Sequence, residues 1–184
     1  MKISELEIPG PLLVTPQVFS DDRGWFSETF RKDVLVRAGV DCEWVQDNQS
    51  FSVHAGTVRG LHFQLEPFAQ AKLVRVLAGS ILDVAVDLRR SSPTYLRHVA
   101  VRLDAQKGEQ LYVPTGFAHG FCTLEPNTMA AYKVSAYYSR EHDRSLAWND
   151  PEIGVKWTVD LDAAVLSDKD RAAPNVKDIG PVFA

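Results

Sequence analysis

The chain has almost nothing with which to brace itself covalently. Cys42 and Cys122 are its only cysteines in 184 residues, too few for a disulfide framework. Cys122 stands in an apolar run and is expected to be buried as a small hydrophobe. No apolar stretch is long enough to span a bilayer. The N-terminal residues 1–7 lack the apolar segment of a signal peptide, so a cytoplasmic setting is the expectation. Charge of one sign is also missing. Twenty Lys and Arg against 24 Asp and Glu leave a net charge of −4. That balance argues against nucleic-acid binding but leaves room for a local basic pocket. Repeats, linkers and low-complexity segments are absent, and the length suits one domain, 1–184, with a full core.

Long helical periodicities are scarce, and strand-like runs take their place. Residues 12–19 read as a first strand, ended by Ser20-Asp-Asp-Arg-Gly24, with 24–30 continuing extended. A short helix is expected over 33–38, with Gly39 as its cap. Strands follow at 44–51 and 57–64. The runs 72–77 and 81–88 flank Ala78-Gly79-Ser80, which reads as a tight hairpin. Further strands are expected at 98–103, 110–113, 119–124 and 129–137. The tail from Trp148 suggests only short helical turns. Many short strands with so little helix predict an all-β sandwich or barrel, of which a jelly roll encloses a cavity.

The chemistry concentrates in Thr57-Val-Arg59-Gly-Leu-His62-Phe-Gln64 and Pro114-Thr-Gly-Phe-Ala-His119. Two strand histidines, Arg59 and Lys72 suit proton transfer on an anionic substrate. Period-2 alternation puts Arg59 and His62 on opposite faces; a bulge at Gly60 would bring both to one cavity. The spacing also resembles the two motifs of cupin jelly rolls. Gly56, His62 and Gly79 fit the first, and Gly108, Pro114, Gly116 and His119 fit the second. The metal ligands of those motifs are poorly kept. Gln64 replaces the second histidine, Phe68 or Ala69 stands at the glutamate position, and a catalytic transition-metal site usually needs three protein ligands. The residues therefore favour His62 as a general base over a metal centre; no metal or cofactor is expected.

Six segments occur together in order: Gln46-Asp-Asn48-x-Ser50, Arg59-Gly-Leu-His62-Phe-Gln64, Gly116-Phe-Ala-His119-Gly-Phe, Tyr132-Lys-x5-Tyr138-Ser, Trp148-Asn-Asp150 and Leu166-Ser-x-Lys-Asp170. In combination they resemble the dTDP-4-dehydrorhamnose 3,5-epimerase family, from about Leu12 to Asp170. The resemblance implies a cofactor-free homodimer with a cupin-type jelly roll. It also implies inversion of C3 and C5 of dTDP-4-dehydro-6-deoxy-D-glucose in dTDP-L-rhamnose synthesis. It makes His62 the base, Asp170 the carboxylate that orients it, Tyr132 the acid on the other face, and Lys72 the cation near the C4 oxygen. It makes Arg23, Arg59 and His119 contacts to sugar or diphosphate. Glu28, Gln46, Asp47, Asn48, Asp143 and Lys169 become nucleotide-side contacts, and Tyr138 an aromatic stacked on thymine. The family often has Glu where this chain has Asp143. Asp168 neighbours Asp170, but the Lys169-Asp170 pair fixes the register on Asp170. Strands within 12–30 are expected to be exchanged across a two-fold axis, carrying Arg23 and Glu28 to the other subunit's site.

Taken singly, each residue has a plainer reading: a core histidine, a packed tyrosine, a surface ion pair, a tail carboxylate. Their co-occurrence is what points to catalysis. The competing functions are a single-site 3- or 5-epimerase of another dTDP-deoxysugar, a 3,4-ketoisomerase, a metal-dependent cupin, and a non-catalytic nucleotide-sugar binder.

Overall fold

A computed structural model describes residues 1–184. Thirteen strands carry the fold: β1 (Lys2–Glu5), β2 (Leu12–Thr15), β3 (Val18–Asp21), β4 (Gly24–Ser27), β5 (Gln46–Ser52), β6 (Val58–Gln64), β7 (Lys72–Ala78), β8 (Ser80–Asp87), β9 (His98–Asp104), β10 (Gln110–Val113), β11 (Phe117–Thr123), β12 (Thr128–Val134) and β13 (Asp143–Ser145). The helices are short: α1 (Lys32–Arg37), α2 (Asp168–Arg171), α3 (Val176–Ile179) and one 3-10 turn at Leu161–Ala163. No helix is long and apolar enough to cross a membrane.

Two antiparallel sheets face each other. One runs β1-β2-β10-β7-β12-β5 and the other β13-β6-β11-β8-β9; β3 and β4 form a separate two-stranded ribbon. Alternation along the strands explains the layers. On β7, Val74 and Val76 point inward and meet Ile81 and Ala85 of β8, Phe117 and Phe121 of β11, and Ala130 of β12. Leu73, the residue before Val74, packs outward with Leu35 of α1, Val14 and Val40. The inner strand β8 is buried on both sides. Its Val84 and Val86 join Leu61, Phe63, Leu146 and Val176 beneath the C-terminal segment. This accounts for the unbroken apolar look of Ile81-Leu-Asp-Val-Ala-Val. Each fully buried Leu, Ile or Val contributes roughly 1.5–3 kcal/mol, so the inter-sheet layer is the main source of stability.

Three expectations change. Ala78-Gly79-Ser80 does not close a hairpin, because β7 and β8 lie in different sheets. Both edges of β7 are taken by β10 and β12, and both edges of β8 by β11 and β9. Gly79 (φ 76°) is instead the corner at which the chain changes sheet. The run 12–19 is broken at Pro16, which has no N–H to give to a ladder. β2 stays in the large sheet, while β3 leaves to pair with β4 alone. The extended run from Gly24 ends at Ser27, before α1.

Candidate active site

A cavity of about 410 Å³ opens between the sheets. The five-stranded sheet presents Arg59, His62, His119 and Phe121. The six-stranded sheet presents Ser50, Lys72 and Tyr132. Val165, Leu166, Ser167 and Asp170 from the C-terminal segment close one side.

Arg59 and His62 share this cavity because β6 is bulged. His119 pairs with His62 and Phe121 with Arg59, so three steps on β6 match two on β11. The extra residue falls at Gly60-Leu61 and cancels the alternation that would have parted the two side chains. Only glycine fits at position 60. Its φ is 123°, and a Cβ there would stand 2.5 Å from Gly120 Cα and 2.7 Å from the His119 carbonyl oxygen. Arg59 is held in place, donating through Nε to Ser52 Oγ (3.2 Å) and from its guanidinium to the Phe51 carbonyl (3.0 Å).

His62 Nε2 donates to Asp170 Oδ1 at 2.5 Å. The His62 side chain is 30% exposed, whereas that of Asp170 is 4% exposed. Asp170 reaches the cavity because the C-terminal segment is stitched back onto β6. Val58 N–H donates to the Val165 carbonyl, and Val165 N–H to that of Gly56. Ser167 then caps α2 by accepting from Asp170 N–H, and its hydroxyl donates to Asp170 Oδ2 (2.8 Å). Burial pushes the Asp170 carboxyl up, but the His62 and Ser167 hydrogen bonds outweigh it and hold the group below its usual range. Asp170 is therefore a carboxylate at neutral pH, and its hydrogen bond fixes the orientation of the imidazole ring.

Deeper in the same wall, His119 Nε2 donates to Asp83 Oδ1 at 2.7 Å. Burial lowers the His119 basicity against the pull of Asp83. On the opposite wall, burial brings Lys72 down to about 8; Asp83 and Asp143 oppose that shift through space. Tyr132 sits on β12 beside Val74 of β7 and Asn48 of β5. Burial raises its phenol while Arg59 draws it down, and the balance keeps the proton on.

The other expected contacts lie outside this cavity. Gln46 and Asn48 share the inward face of β5 with Ser50 and bond each other at 2.7 Å. Asp47 points to the opposite face and pairs with Lys133 (2.9 Å). Asp143 accepts from Lys169 Nζ (2.5 Å) and from the Tyr138 hydroxyl (3.3 Å), which groups these three. Glu28 lies 3.6 Å from Arg31. Arg23 sits on the β3–β4 ribbon, 90% exposed and paired with Asp21. The single chain does not bring Arg23 or Glu28 to His62.

Gln64, at the place of a second cupin histidine, is committed elsewhere. It donates to the Phe68 and Tyr137 carbonyls and accepts from Ser139 N–H, tying two loops together. No three His, Cys, Asp or Glu side chains converge as a metal would require. Sequence reasoning missed Asp83, whose signal was an acid within the apolar run Ile81-Leu-Asp-Val-Ala-Val of β8. It also missed the roles of Ser52 and Ser167, which had no signal beyond their neighbours.

The comparisons with known proteins agree with this geometry. The family profile described as dTDP-4-dehydrorhamnose 3,5-epimerase matches residues 5–178. A dTDP-4-dehydrorhamnose 3,5-epimerase of Sinorhizobium fredii is 50% identical over 183 residues, covering 100% of this chain and 93% of the relative. The crystal structure of the Bacillus anthracis dTDP-4-dehydrorhamnose 3,5-epimerase, with TDP and pyrophosphate bound, superposes with a TM-score of 0.92. It is 49% identical, over 95% of this chain and 99% of the other. A Legionella pneumophila epimerase in complex with dTDP-4-keto-L-rhamnose has a TM-score of 0.92 at 38% identity, over 97% and 94% of the two chains. With a cupin-type fold, a His–Asp pair facing a tyrosine and this match along nearly its whole length, the chain belongs to the dTDP-4-dehydrorhamnose 3,5-epimerase family.

Proposed function

We propose that the cavity epimerises C3 and C5 of dTDP-4-dehydro-6-deoxy-D-glucose by proton transfer between its two walls. The observation that carries this reading is positional. His62, bonded to a buried carboxylate, stands on one sheet, and Tyr132, a protonated phenol, stands on the other. A sugar ring between them offers one face to each. The C4 ketone acidifies the adjacent C–H bonds. His62 takes the proton, the bonding pair moves into a C–C–O enolate, and Tyr132 returns a proton to the opposite face. Solvent then resets both groups. Lys72 supplies a fixed cation for the developing charge on the C4 oxygen. Arg59 and His119 hold the sugar–diphosphate portion.

We assign Gln46, Asn48, Asp143 and Lys169 to the nucleotide side, with Tyr138 stacking on the base and Asp47 supporting that end of β5. Arg23 and Glu28 act across a two-fold axis. Support for that assignment lies in the ribbon that carries Arg23, which exposes Phe19, Trp25 and Phe26. Such a cluster of large apolar side chains suits a covered surface. The protein is then a cytoplasmic homodimer that uses no metal.

The test is isotope exchange. Metal-free protein is incubated with the substrate in D2O, and C3 and C5 are followed by NMR. Deuterium at both carbons, lost in His62→Ala, supports double epimerisation. Deuterium at one carbon replaces it with a single-site epimerase, and none at either sinks the reading. For the dimer, mixing Arg23→Ala with His62→Ala chains restores activity if Arg23 serves its partner's site. A fully active monomer in sedimentation overturns the exchange of strands.

A further inference from the structure

Asp83 is the one acidic side chain in the heart of the fold without a full set of partners. It lies in β8, an inner strand of the five-stranded sheet, and is 0% exposed. Its Oδ1 accepts from His119 Nε2, while its Oδ2 is buried with no hydrogen-bond donor. A carboxylate kept out of water in this way is costly unless nearby positive charge offsets it. Apolar replacement would suit a core strand better, since Val84 and Val86 beside it are fully buried. Asp87 on the same face of the same strand makes the contrast. It too is fully buried, but both of its oxygens are engaged by Arg89, Ser92 and Thr94. The half-satisfied acid is the one that stands behind the cavity wall.

The surroundings supply the charge that offsets it. Lys72 stands on the facing sheet and is acted on by the Asp83 charge through space. The other groups that act on the Lys72 ammonium are Asp143 of β13, Lys169 of α2 and, from β11, His119. Arg59, His62 and Tyr132 share the same cavity lining. Of the two acids, Asp143 is already held by Lys169 and Tyr138. Asp83 is the acid with a free oxygen.

We propose that Asp83 is a positioning residue for the epimerisation. It locks the His119 ring with Nε2–H turned inward, and its unshared charge keeps the Lys72 ammonium in the cavity, ready for the enolate oxygen. The inference rests on the proton-transfer reading above. It assigns to a residue that touches no substrate the task of keeping the electrophilic wall charged. Lys72, although burial brings it down to about 8, then remains mostly protonated at neutral pH because Asp83 opposes the burial.

The test separates this idea from the assigned reaction by reading Lys72 directly in substrate-free protein. Lysine amines are 13C-methylated, and the Lys72 signal is assigned by its loss in Lys72→Arg. Asp83→Asn keeps an acceptor for His119 but removes the charge. The expected result is a Lys72 titration midpoint about one pH unit lower in Asp83→Asn. The basic limb of the kcat profile moves with it, so that kcat falls about twofold at pH 7 and about tenfold well above pH 8, and KM stays within about threefold. A folded Asp83→Asn protein with an unmoved Lys72 titration and an unmoved basic limb overturns the proposal. Should Asp83→Asn fail to fold, Lys72→Arg in the native background decides. Arginine stays charged without help, so the basic limb should vanish; a limb that persists overturns the proposal.

Discussion

The molecule carries two histidine–aspartate pairs side by side, and they are built differently. His62 and Asp170 come from positions 108 apart in the chain, joined by a C-terminal segment that folds back over β6. His119 and Asp83 are neighbours on adjacent strands of one sheet, 36 apart. The His62 side chain is 30% exposed and that of His119 is 7% exposed. The Asp170 carboxylate is fully served by His62 and Ser167, while Asp83 has one oxygen left over. A base that must gain and lose protons needs contact with substrate and solvent, together with an anion that tolerates its charge. A group that must only hold a position and a field is better sealed inside a rigid sheet. The first pair suits proton movement and the second suits fixed electrostatics.

The comparison can be broken most sharply at the first pair. His62→Ala should abolish deuterium incorporation at C3 and C5 and lower kcat by about 10³-fold or more, measured by NMR and by turnover. Asp170→Asn should lower kcat by about 10²-fold, because the ring loses both its orientation and its counter-charge. The same variant carries a stability signature. Asp170 is held below its unfolded value, so its contribution is present above about pH 4 and is lost as pH falls through the folded value. Acid unfolding of Asp170→Asn, followed by circular dichroism, should therefore depend less on pH below about 4 than that of the native chain. His119→Asn should lower kcat by only about 10-fold and leave exchange detectable at both carbons; a loss as deep as that of His62→Ala would erase the distinction between the pairs.

Smaller effects sharpen it further. Lys72 near 8 places a basic limb in the kcat profile, with activity falling as pH rises past that value. Its linkage to stability has the opposite sense. Between about 8 and its ordinary value of 10.5 the unfolded chain binds the extra proton, so folding stability gains as pH rises through that window. Asp143→Asn, which loosens Lys169 and Tyr138 at the cavity's outer side, should raise KM a few-fold and leave kcat nearly unchanged, as read from initial rates.

Much of the fold was legible because its signals are local. Turn residues and period-2 alternation mark short strands, and the glycines and proline of the second cupin motif mark the approach to His119. The histidine, lysine, tyrosine and aspartate at positions 62, 72, 132 and 170 stood in recognisable segments, and the structure gathers them around one cavity. The hairpin read at Ala78-Gly79-Ser80 failed because a glycine turn looks the same whether the chain returns to its own sheet or crosses to the facing one. Edge occupancy decides that, and it depends on β10, β12, β9 and β11. Asp83 went unnoticed because nothing near it in the chain shows that a buried acid has a histidine beside it and a lysine opposite.

By itself the sequence determined the strand content, the family and the kinds of chemistry on offer, since these follow from side-chain type and short-range spacing. Only the tertiary structure decided that Arg59 and His62 share a face. A bulge is a mismatch between two strands, and no single strand can record it. Tertiary packing likewise brought Asp170 to within a hydrogen bond of His62, 108 positions away, and set Tyr132 on the wall facing His62. Such relations depend on which surfaces the hydrophobic core brings together, and they exist only once the two sheets have closed.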